Sequence, residues 1–61
     1  MFQKILDYFG GREYLAEICG VSERATYYWQ DIGRIPLKNA IVIERESAGK
    51  FKAEKLVVGW D

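Results

Sequence analysis

Phe2, Ile5, Leu6 and Phe9 recur at i, i+3, i+4 and i+7, which stacks them on one side of a helix over about residues 2–9. The pair Gly10-Gly11 ends that segment. Arg12 opens a second helix running to about Ile18, with Leu15, Ala16 and Ile18 inward, Glu13 and Glu17 outward, and Gly20 as its stop. Ser22 suits the N-cap of a third helix over about residues 23–31, and Gly33 follows it. At about 100° per residue, Ala25, Trp29 and Ile32 share one face of this helix. Arg24, Tyr27, Tyr28 and Asp31 share the opposite one. Trp29 therefore belongs to the core, and the two tyrosines centre on an outward face.

Pro36 fits the first turn of a fourth helix, because its fixed φ suits that position and its missing N–H would have no partner there. Leu37, Ala40 and Ile41 are expected to continue the inward stripe, and Gly49 closes the segment. The run "AIVIE" is β-branched enough to read as a strand, but the preceding proline and the following "ERESAG" favour helix. In the tail, Phe51 can sit in an extended segment and "KAEKL" can form one helical turn, while Val57, Val58 and Trp60 need cover.

Composition narrows what such a helical chain can do. Sixty-one residues make one domain near the lower limit of autonomous folding, where about 60% of the unfolded surface is buried. No apolar run approaches the roughly 20 residues that span a bilayer, and the N-terminus lacks the ordering of a secretory signal, so a soluble intracellular protein is expected. With a single cysteine and no histidine, an internal disulfide and a thiolate zinc site are ruled out; neither a metal nor another cofactor is expected. Nothing resembles a catalytic triad or a phosphate-cradling glycine loop. Glu13 and Glu17 lie four apart, as a solvated helix face does, and Cys19 reads as a small apolar group in a turn.

Residues 12–31 have the layout of a helix-turn-helix, in which a small residue on the first helix allows close approach and a glycine makes the turn. Those residues are Ala16 and Gly20, followed by Val21, by Ala25 and Thr26 on the packing side, and by Trp29. The stretch "LAEICGVSERATYYW" resembles the phage Cro repressors and the related YdaS-like prophage regulators. "YFGG" before it and "GRIPLKNAIVIERESAGKFKAEKL" after it extend that resemblance over nearly the whole chain. Three features depart from the family pattern: Thr26 where valine or isoleucine is usual, Cys19 where leucine is common, and the ending "LVVGWD".

The resemblance implies a mostly all-α domain over residues 1–61, with four helices of the lambda-repressor/Cro type and a short terminal element. It also implies a transcriptional repressor of phage or prophage origin, acting in the cytoplasm of a bacterial host on double-stranded operator DNA. One domain this small covers a half-site, so a weak or DNA-induced homodimer is expected, with Val57, Val58 and Trp60 as candidate pairing residues or, equally, as core. Arg24 can donate twice to guanine, Tyr27 and Tyr28 can offer a hydroxyl or a ring to thymine methyl, and Glu23 can accept from cytosine. Gln30 and Asp31 rank lower. Phosphate contacts are expected from Arg12, from Ser22 at its cap, and from Arg34, Lys38 and Asn39 leading into the fourth helix. Two other classes fit the same residues: a protein-interaction or antitoxin-like module anchored by Tyr27, Tyr28 and Trp60, and an architectural or recombination accessory protein that bends DNA.

Overall fold

The computed structural model describes residues 1–60. Its helices are α1 (Phe2–Phe9), α2 (Arg12–Cys19), α3 (Glu23–Ile32), α4 (Leu37–Glu46) and α5 (Ala53–Val58), with no strand among the described residues. The tail, left open between extended and helical forms by its sequence, makes the fifth helix. "AIVIE" lies inside α4.

Each of the first three helices ends where a left-handed glycine reverses the chain. At the α2 end, Gly20 has φ 69°, and the Val21 N–H reaches back to the Ala16 carbonyl at 3.0 Å. This closes otherwise unpartnered carbonyls and sends the chain into α3. The turn is therefore local geometry, and α2 and α3 pack directly on each other.

One core serves all five helices. Ile5 from α1, Leu15 from α2, Ile35 from the α3–α4 loop, Ile43 from α4 and Leu56 from α5 are completely buried, and Trp29 of α3 joins them. The face read for α4 needs correction. Leu37 is 60% exposed and Ile41 is also exposed, whereas Asn39, Ala40 and Ile43 face inward. Pro36 sits one position earlier than expected, at the N-cap with ψ 147° instead of in the first turn.

The tail is bonded into the domain at several points. The Ile35 N–H donates to the Leu56 carbonyl at 2.9 Å, and the Trp60 N–H donates to the Gly33 carbonyl at 3.0 Å. The Glu44 carboxylate accepts from the Ala53 N–H at 2.7 Å, which caps α5 from α4. Gly59 is required where the tail crosses the α3–α4 loop: a Cβ there would lie 2.5 Å from the Gly33 oxygen, and its φ is +105°.

Candidate nucleic-acid interface

α3 is held from behind and open in front. Thr26 and Trp29 are buried, while Glu23, Arg24, Tyr27, Tyr28, Gln30 and Asp31 are exposed. Tyr27 is 53% and Tyr28 61% exposed, so both side chains are accessible from this face. All six residues expected to read bases thus lie on accessible parts of α3. Arg24 has no ion-pair partner among the described residues, which leaves its guanidinium available for a planar acceptor.

Ser22 takes the extended conformation of an N-cap, but its side chain makes no capping hydrogen bond. Its hydroxyl is exposed at the α3 N-terminus, where backbone N–H groups also point outward. Arg34 and Lys38 are exposed near the start of α4. Asn39 differs from expectation: it is buried at 8% exposure on the inward face of α4, so little of it can meet a phosphate.

Arg12 is the largest departure among the site residues. It is half-buried, and its guanidinium lies 3.9 Å from the centre of the Tyr27 ring. One of its Nη groups donates to Thr26 Oγ1 at 3.4 Å and the other to Gln30 Oε1. The Thr26 hydroxyl in turn donates to the Glu23 carbonyl at 2.6 Å. This explains a hydroxyl at a completely buried position: it is satisfied as both acceptor and donor. Residue types alone hid the arrangement, although Thr26 and Gln30, four apart, mark the α3 flank on which the start of α2 packs.

Burial pushes the Cys19 thiol from 9.0 up to about 11, so its reactive thiolate is suppressed at neutral pH. No cluster of three or more His, Cys, Asp or Glu residues converges among the described residues. None of the helices is long and apolar enough to cross a membrane.

Two helices joined by a glycine turn, the second locked by a buried tryptophan and exposing an arginine and two tyrosines, define a helix-turn-helix DNA-binding domain. The model of the family described as "DNA-binding transcriptional regulator Cro" matches residues 2–59, and the chain belongs to that family. Neither a curated protein nor a solved structure matches the chain significantly. The protein is therefore a DNA-binding transcriptional regulator of the Cro type.

Proposed function

We propose that this regulator is a repressor of phage or prophage origin, acting inside a bacterial host cell, that reads operator half-sites by laying α3 in the major groove. The observation that carries the reading is the outward face of α3, with Arg24, Tyr27 and Tyr28 exposed on a helix fixed by Thr26 and Trp29. In this reading Arg24 is the principal base reader. Glu23, Tyr27 and Tyr28 complete the reading face, Gln30 and Asp31 flank it, and Ser22, Arg34 and Lys38 with the margin of Asn39 meet phosphates. Catalysis has no part in it. The operator is pseudo-palindromic and two copies bind it with their recognition helices about 34 Å apart. The pairing surface includes Val58, which is 82% exposed and borders an apolar depression with Met1 and Trp60.

Enrichment of bound duplexes from a random pool, followed by titration of variants, tests this. The expected product is a two-fold symmetric motif. Arg24→Ala should then cost about 1–3 kcal/mol on that motif and relax one base position per half-site, whereas Lys38→Ala weakens all sequences alike. An enriched pool without a motif would point to an architectural protein, and no enrichment at all to a protein-binding module.

A further inference from the structure

Arg12 lies at the start of α2, yet both hydrogen bonds of its guanidinium are to α3. It sits 3.9 Å from the centre of the Tyr27 ring, donates to the Thr26 hydroxyl and donates to the Gln30 side-chain oxygen. It also lies 5.4 Å from the centre of the Phe2 ring. Arg12 is thus fastened before DNA arrives, with both of its Nη groups already engaged by α3 side chains. The fastening is directional, since two donors fix the plane of the guanidinium and the plane sets the place of the ring against it.

We infer that Arg12 is a positioning residue for base recognition: it holds the Tyr27 side chain in one posture on α3, and so determines sequence preference without touching a base. Tyr27 is the residue whose placement matters, because it lies on the reading face between Glu23 and Asp31, one turn from each. Its ring is over half exposed, with one contact supplied by Arg12 and the remainder free to meet a base edge or a thymine methyl. Without the guanidinium, an exposed tyrosine samples several side-chain rotamers, and the reading geometry has to be selected from them at each encounter. Thr26 belongs to the same device. Its hydroxyl accepts from Arg12 and donates to the Glu23 carbonyl, so the anchor is tied to the first turn of the reading helix. A valine would fill the same space and provide no anchor. Gln30 accepts the second N–H through its side-chain oxygen.

This inference rests on the proposed reading of DNA by α3, and the experiment separates the two. Motifs are selected from a random duplex pool with the wild-type protein and with Tyr27→Ala, Arg12→Lys and Thr26→Val, all first shown by circular dichroism to be folded. Tyr27→Ala identifies the base pair that the tyrosine reads. Arg12→Lys keeps the charge but loses the planar stack and fork; it should lower discrimination at that same base pair by about fivefold and leave the positions read by Arg24 intact. Thr26→Val, which leaves both Arg12 and Tyr27 in place, should lower it there in the same sense. In the free wild-type protein, nuclear magnetic resonance should show the Arg12 side-chain protons moved upfield chiefly by the Tyr27 ring, and Tyr27→Leu should remove most of that shift, leaving the smaller part due to the more distant Phe2 ring. If the wild type enriches a motif while Arg12→Lys and Thr26→Val retain full discrimination at the Tyr27 position, the inference is overturned and the reading by α3 stands. A folded wild type without the upfield shift also overturns it. A wild type that enriches no motif overturns both. Should neither variant fold, the upfield shift in the wild type and its response to Tyr27→Leu still decide.

Discussion

Thr26 and Cys19 show how single buried residues set the chemistry of this domain. Thr26 is completely buried, and its hydroxyl is used twice, once by Arg12 and once by the Glu23 carbonyl. Cys19 is silent by contrast. It is buried beside the turn, and desolvation pushes its thiol up to about 11. The pH consequence has a definite sign. A thiol with a folded pKa above its unfolded value near 9.0 contributes stability that is intact below pH 9 and lost as pH rises towards 11. The thiol's contribution is isolated by difference against a variant without it. Melting temperatures of the wild type and of Cys19→Ala, followed from pH 8 upward, should converge as pH climbs through 9 to 11; a constant gap would show that burial does not perturb the thiol.

At the scale of elements, α5 packs on α4 and is also capped by one of its side chains. The Glu44 carboxylate accepts from the first N–H of α5 at 2.7 Å, and the Ser47 hydroxyl accepts from the Phe51 N–H at 3.2 Å just before it. Helix N-terminal donors of this kind are worth about 1 kcal/mol when a side chain satisfies them. Glu44→Ala should lose about that much in chemical denaturation and speed amide exchange in α5 selectively, while Glu44→Gln, which keeps an acceptor, should lose less. Equal losses from both substitutions would show that the bond to Ala53 is not the source. The first three helices were legible because each carries an apolar stripe and a glycine stop, and the structure adds only one residue to each of the second and third. The face of α4 was not legible. Its inward positions include Asn39 and Ala40, while its larger residues Leu37 and Ile41 stay at the surface, so apolar spacing favoured the wrong side. The tail was legible as a possible helical turn at "KAEKL" and a need for cover, but not its placement, because the bonds that fix it come from Gly33, Ile35 and Glu44, distant in sequence. Among the site residues, the outward face of α3 followed from 100° periodicity. The role of Arg12 did not, since it depends on how α2 and α3 meet.

For the whole molecule, the tail cannot be treated as a detachable pairing arm. Leu56 is completely buried, and the Trp60 ring stacks on Phe2 at 5.6 Å, so removing residues 56–61 would take apart the core instead of leaving a folded monomer. Among the candidate pairing residues, Trp60 and Val57 pack against this core and Val58 remains outside. The chain carries nine basic and nine acidic residues, a net charge of zero, which shapes how it can bind DNA. Affinity built on counterion release grows with the number of neutralised phosphates, and here nine acidic residues offset the attraction of the nine basic ones. Under the proposed reading, recognition comes from the α3 face and non-specific binding is weak. The most direct measurement is a titration of the wild-type protein against its selected duplex and a scrambled duplex of the same composition, each at two salt concentrations. A chain that reads sequence through α3 should bind the selected duplex at least about a thousandfold more tightly near physiological salt, and its advantage should persist when salt is raised. Equal affinity for the two duplexes, falling together with added salt, would contradict base reading by α3 and leave only attraction to the phosphate backbone.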